Sequence, residues 1–257
     1  MMKKIISLLI LIVMIFSMTL LVSAEMTGDE ILNKMEEVRD IQTNQMELKL
    51  ELYDPSGSKR VRTLTNISED YGQKKTLSRF LSPADVAGTG FLSIDKPEID
   101  DEDMYLYLPA LGSVRKISGS QKNGSFVGTD FSYNDLSLVS AENYNDDYQA
   151  VVLEDNEKEY ILRLSPTDED IDYDYGKLWV NKEMWYPVKA EFYDTRGKLN
   201  KILTSHDIQK IQGYWTPQKM VMEDVQEGTR TILYLESVLY NEEVNSKIFS
   251  PRYLKRY

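Results

Sequence analysis

Few residues of this chain are equipped for chemistry. His206 is the only histidine among 257 residues, and there is no cysteine. A Ser-His-Asp triad or a histidine-ligated metal would have to be built on it. It stands between Ser205 and Asp207 in a strand-like pattern, without the glycines of a nucleophile elbow, and reads as a strand-surface histidine. Asp168, Asp170, Asp172 and Asp174 alternate in a way that suggests calcium. An EF-hand loop needs glycine at its sixth position and glutamate at its twelfth. Counted from Asp168 these positions hold Tyr173 and Trp179; counted from Asp170 they hold Tyr175 and Asn181. The pattern fails both ways, and a solvated acidic loop is the expectation. Acids are abundant enough for a glycosidase-like pair, yet no pair is singled out. No metal or cofactor is expected, and a non-enzymatic role follows.

The more unusual chemistry is apolar. The chain has 17 tyrosines, 3 tryptophans and 11 methionines, residues that pack sheets but also adapt to irregular ligands. The stretch from Met104 to Leu136 organises the chain. That stretch opens as a strand large on both faces, with Met104, Leu106 and Leu108 on one side and Tyr105 and Tyr107 on the other. A strand polar on neither face must be covered on both. Pro109 and Gly112 then bend the chain, Arg115 and Lys116 follow, and a Gly/Ser-rich loop carries Phe126, Phe131 and Tyr133. This combination suits a wall and a lid for something greasy.

Composition narrows the compartment and the partners. Lys3 and Lys4 precede an apolar run from Ile5 to Leu21, and Val22-Ser23-Ala24 supplies small residues before Glu25. This is the pattern of a secretory signal, with cleavage expected after Ala24, although the run is long enough for an uncleaved anchor. Residues 1–24 are therefore read as signal peptide and 25–257 as one extracytoplasmic domain. Without cysteine the mature N-terminus cannot be lipidated there. Net charge is −12, or −14 once Lys3 and Lys4 leave with the signal. Such a surface repels nucleic acid, which is excluded as a partner.

The remaining elements are mostly strands. Thr27-Gly28-Asp29-Glu30 is a capping box opening one amphipathic helix through Ile31, Leu32, Met35 and Val38. Met46, Leu48, Leu50 and Leu52 then alternate with Glu47, Lys49 and Glu51, a half-buried strand. Similar patterns recur to Tyr240, about eleven strands in all, with Asp54–Gly57 and Asp194–Gly197 as matching hairpin turns that place glycine at positive φ. Phe131 to Val139 reads as one short helix. The acidic run Glu98, Asp100, Asp101, Glu102 and Asp103 reads as a solvated turn. A sheet this wide curls or closes. The fold class is mainly β (α+β): a strongly curved antiparallel sheet forming a half-open barrel with a short helical lid.

Several stretches resemble the outer-membrane lipoprotein-sorting family of LolA-like carriers: Ala87 to Phe91, Tyr105 to Pro109, Val114 to Ile117, Gly128 to Tyr133, Leu178 to Asn181, Tyr186-Pro187 and Tyr193-Asp194. The resemblance implies a periplasmic, monomeric carrier that binds a lipid or lipoprotein acyl chain and moves it between membranes. It also implies a membrane transporter as donor and an outer-membrane acceptor. On this resemblance Phe91, Tyr105, Tyr107, Leu108, Phe126, Phe131, Tyr133, Trp179 and Trp185 are expected to line the cavity or its mouth. Arg115 is expected to make a headgroup or lid hydrogen bond. The alternative reading is a module on the same fold that senses lipid or lipoprotein and acts on a membrane partner.

Overall fold

The computed structural model describes residues 25–98, 101–140, 144–168 and 170–256; the signal segment expected at 1–24 lies outside them. Helix α1 (Gly28–Glu37) begins as its capping box dictates. The Thr27 hydroxyl accepts from the Glu30 amide at 3.2 Å, and the Glu30 carboxylate accepts from the Thr27 amide at 2.8 Å. Its apolar stripe, Ile31, Leu32 and Met35, is wholly buried. Gly28 is required for that docking, since a Cβ there would sit 2.3 Å from the Ala150 carbonyl oxygen.

One antiparallel sheet of thirteen strands forms the body: β1 (Thr43–Tyr53), β2 (Lys59–Asp70), β3 (Lys74–Ser82), β4 (Gly90–Lys96), β5 (Asp101–Leu108), β6 (Ser113–Ile117), β7 (Tyr148–Asp155), β8 (Glu159–Pro166), β9 (Tyr175–Asn181), β10 (Tyr186–Tyr193), β11 (Leu199–Ile211), β12 (Tyr214–Asp224) and β13 (Thr229–Tyr240). Their spatial order is β6-β5-β4-β3-β2-β1-β13-β12-β11-β10-β9-β8-β7. The chain therefore makes two meanders, β1 to β6 and β7 to β13, which the β1–β13 ladder joins. This order puts β6 and β7 at opposite edges. The segment between them must cross the sheet, and it does so over the concave face. It carries the short helices α2 (Leu136–Ser140) and α3 (Tyr144–Asp147).

Three expectations change in detail. The strand count rises because Ser113–Ile117 forms an edge strand. Asp101, Glu102 and Asp103 open β5 rather than forming a turn, because lysines from three elements face them: Lys122 pairs with Asp101 at 3.2 Å, and Lys96 and Lys116 pair with Asp103 at 2.8 and 2.5 Å. Asp100 lies outside the described residues. The helix expected from Phe131 starts only at Leu136. Before it, Ser132 and Asp135 cap each other, the Asp135 carboxylate accepting from the Ser132 amide at 2.7 Å and the Ser132 hydroxyl from the Asp135 amide at 3.1 Å. The hairpin glycines are as expected, Gly57 at φ 85° and Gly197 at φ 72°, each following an aspartate that accepts two turn amides.

The hydrophobic core has two parts. The larger one fills the concave side beneath α1 and the crossing segment. The smaller one lies on the convex side, where the C-terminal 3-10 turns Ser246–Ile248 and Tyr253–Lys255 bring Ile248, Phe249 and Leu254 onto Leu77 and Leu92. Buried Arg79 fastens this cover by donating to the Leu254 carbonyl at 2.7 Å. β5 is thus covered on both faces, as its large side chains demand.

Candidate functional site

The concave side of β1–β5 encloses a cavity of about 920 Å³ beneath the crossing segment. That size is within the range of a single-ligand site, roughly 300–1,000 Å³. Strand register explains why side chains do not fill it. Directly opposed residues share a face, so the concave rows can be read across the ladders. One row runs Leu48–Leu64–Phe80, which is apolar. The next runs Met46–Asn66–Ser78–Phe91–Leu106, and the next Asn44–Ser68–Thr76–Ser93–Met104. Serine, threonine and asparagine thus stand where a packed sheet would present Leu or Ile. Beyond them comes a charged rim, with Asp70 opposite Lys74 and Asp95 opposite Glu102. The hollow is therefore graded along the strands from apolar to hydroxylic to charged.

The apolar end is closed by the loop after β6. Phe126 packs against Phe80 at 5.7 Å and Phe91 at 5.4 Å between ring centroids, and Tyr133 against Phe91 at 5.4 Å. Burial pushes the Tyr133 phenol above its ordinary range. Three polar attachments hold this loop. Arg62, buried on the concave face of β2, donates to the carbonyl of Val127, which adopts positive φ (49°), a conformation a β-branched residue seldom takes. Asp130 accepts from the hydroxyls of Thr229 and Thr231, the latter at 2.5 Å. Asp135 accepts from the Tyr173 phenol at 2.9 Å and the Lys201 ammonium at 2.8 Å.

The charged rim is electrostatically uneven. Glu102 is held up to about 8, first because its carboxyl is removed from water, then because Asp95 and Asp147 lie near; Lys122 and Lys74 oppose the rise without cancelling it. Further along the rim, Arg39 and Asn44 are buried in the cavity wall, with exposures of 8% and 9%.

Of the residues expected at the site, Phe91, Phe126, Phe131 and Tyr133 line the cavity together. Leu108 packs at the margin of the main core without lining it. Tyr105 and Tyr107 point to the convex face, under the C-terminal turns, because they alternate with the concave Met104 and Leu106. Trp179 lies beneath the Lys189 ammonium (4.4 Å to the centroid), on the face opposite its buried neighbours Leu178 and Val180. Trp185 rests on Tyr160 at 5.8 Å, away from the cavity lining. Arg115 is exposed on edge strand β6 and reaches neither cavity nor lid. His206 is also exposed, sharing a hydrogen bond with Thr204 at 2.8 Å. Among the described residues, no three His, Cys, Asp or Glu side chains assemble a metal site.

The residues missed from sequence are the polar ones of the hollow, Arg39, Asn44, Asn66, Ser68, Ser78, Ser93 and Glu102, and Arg62, which fastens the loop beside it. A signal for several was present. Asn66, Ser68 and Ser78 occupy the buried parity of otherwise regular strands.

Comparison with known proteins now places this architecture. A domain described as an outer membrane lipoprotein-sorting protein, from Vibrio parahaemolyticus, superposes with a TM-score of 0.82 at 29% identity, covering 89% of this chain and 98% of that one. In fold, and at 29% identity in sequence, the chain is similar to the LolA-like outer-membrane lipoprotein-sorting proteins. A DUF1329 family protein from Desulfovibrio piger matches at TM-score 0.79 and 28% identity, over 88% of this chain and 96% of that one. A LolA superfamily protein from Nitrosomonas europaea shares the LolA-like fold at TM-score 0.70 and 24% identity, over 89% and 100% of the two chains. A family model described as an uncharacterized protein matches residues 72–256, which hold most of the LolA-like sheet and the whole crossing segment. No protein of curated function matches the sequence.

Proposed function

We propose that this LolA-like protein is a non-enzymatic extracytoplasmic carrier, which shelters an acyl chain of a lipid or lipoprotein in its hollow during passage between membranes. The observation that carries this reading is the lidded 920 Å³ cavity, walled at one end by Leu48, Leu50, Leu64, Phe91, Phe126 and Met220. An acyl chain gains about 0.8 kcal/mol per methylene on leaving water. Burying about ten methylenes contributes roughly 8 kcal/mol before the losses of association. A surface patch covers one side of a chain; an enclosed trough covers most of it, and only the trough collects this gain. Release needs a second state in which the lid contacts are weaker. The few polar fastenings of the loop, at Arg62, Asp130 and Asp135, are what a membrane donor or acceptor would exchange.

The test is lipid capture. Mature protein purified from its own host under native conditions is expected to carry lipid of defined mass by native mass spectrometry. Delipidated protein is expected to take up a fluorescent fatty acid in competition with that lipid. Protein that is repeatedly empty and takes up no amphiphile would refute the carrier reading.

A further inference from the structure

Arg39 follows α1 and enters the cavity wall. Its guanidinium is nine-tenths buried, yet makes one described hydrogen bond, from Nη1 to the Trp215 carbonyl at 3.0 Å, and otherwise lies over the Tyr186 ring at 5.1 Å. Its Nε is buried without a partner, and among the described residues no carboxylate pairs with it. A buried cation without an anion is expensive, and a buried N–H without an acceptor adds to that cost. Asn44 is the complementary case. Its Nδ2 donates to the Ser68 hydroxyl at 2.6 Å, while its Oδ1 is buried with nothing donating to it. Both residues line the one cavity, among the polar positions that follow its apolar end. A cation in need of an anionic acceptor and a carbonyl in need of a donor thus share one wall.

We infer that the hollow receives its amphiphile in one direction, with an anionic oxygen of the headgroup on Arg39 and a headgroup hydroxyl or amine on Asn44. This rests on the carrier reading and adds to it a headgroup class. A guanidinium suits such an oxygen, whether carboxylate or phosphodiester, because its donors form a planar fork and it cannot lose its charge. Arg39 is only 8% exposed, so the margin over a neutral headgroup is expected to exceed that of a surface pair.

The experiment uses the mature full-length protein, delipidated, with three probes of one chain length: palmitate, palmitoyl-lysophosphatidylglycerol and the neutral monopalmitoylglycerol. Competition against a fluorescent fatty acid gives each affinity. At least one anionic probe is expected to bind about tenfold or more tightly than the neutral one, as a charge-assisted hydrogen bond supplies. Preference for palmitate alone identifies a carboxylate, and preference for the lysolipid a phosphodiester. In Arg39→Met the margin between anionic and neutral probes is expected to close. In Arg39→Lys, which keeps the charge without the fork, it is expected to shrink but persist. Wild-type protein that binds all three probes equally would overturn the headgroup assignment while leaving the carrier reading intact. Protein that binds none would overturn both. Because the wild-type comparison needs no variant, a folding failure of Arg39→Met cannot rescue the inference.

Discussion

Replacing Glu102 by glutamine should make the protein more stable in alkali and leave it nearly unchanged in acid. Glu102 faces the charged rim from β5, directly opposite Asp95 on β4, with Asp147 from α3 also near. Like charges placed opposite across a ladder repel. Removal from water adds to this, and Lys122 and Lys74 offset only part of it, so the carboxyl rises from its ordinary 4.5 to about 8. The sign follows from proton binding. Below pH about 4.5 the residue is protonated whether the chain is folded or not, and it contributes nothing. Between 4.5 and about 8 the folded chain holds a proton that the unfolded chain has lost, so stability falls as pH rises. Above about 8 both states are ionised and the full penalty stays.

A tenfold change in proton affinity is worth about 1.4 kcal/mol, so the rise from 4.5 to about 8 sets a ceiling near 5 kcal/mol. Glu102 is only part-buried, in a cavity wide enough for water, so about 2–3 kcal/mol is expected. Denaturant unfolding of wild type and Glu102→Gln, compared at intervals from pH 4.5 to 9, measures it. The variant's advantage should be close to zero at pH 4.5 and grow to about 2–3 kcal/mol by pH 9, a change in melting temperature of roughly 5–10 °C at this chain length. The buried tyrosines do not confuse the window, since burial pushes Tyr144, Tyr148 and Tyr173 above their ordinary range near 10. A difference that stays constant with pH would show that Glu102 is ionised throughout, and the account of the rim would be wrong.

Other perturbations read other parts of the fold. Asp135→Ala removes the anion that Lys201 and Tyr173 share at a position 1% exposed; about 3–5 kcal/mol of stability should go, seen as a fall in denaturant midpoint. Ser78→Phe places a ring in the hollow beside Phe91; far-ultraviolet dichroism should be unchanged while amphiphile uptake falls severalfold, and unaltered uptake would remove this region from the site. Deleting residues 244–257 uncovers Leu77, Leu92, Tyr105 and Tyr107 on the convex face, so the shortened protein should bind a hydrophobic dye strongly and self-associate.

How far these features could be read from the sequence depends on whether their cause is local. β1 was legible because alternation is a property of neighbours: Met46, Leu48, Leu50 and Leu52 all turn inward. The two-sided burial of β5 was legible for the same reason. Which side faced the hollow was not, since the cover on Tyr105 and Tyr107 comes from Ile248, Phe249 and Leu254, far along the chain. β6 was missed because Arg115 and Lys116 make it look like a loop, although charged side chains are what keeps an exposed edge from pairing with another sheet. The acidic start of β5 looked like a turn because its neutralising lysines lie on β4, β6 and the turn at Gly119–Asn123. Arg39 stands just past the end of α1, where a cation is unremarkable, and nothing local marks its burial in the cavity wall.

The hollow also constrains its own contents. Cavities left by truncating core side chains cost about 24 cal/mol per Å³. Applied to 920 Å³, that rate gives about 20 kcal/mol, more than the roughly 5–15 kcal/mol by which a domain is stable. A sealed, dry void of this size would outweigh the stability of the fold, whereas this hollow is partly open and water can enter it. Serine, threonine and asparagine on its middle rows let water fill it at small cost, because such water finds partners. The apolar end offers water no such partners, and there an acyl chain, on the proposed function, would displace the least satisfied molecules. Packing the same rows with leucine would have produced a more stable sheet with no hollow. The polar residues on the concave face thus let the sheet stay folded around a hollow that its own side chains do not fill.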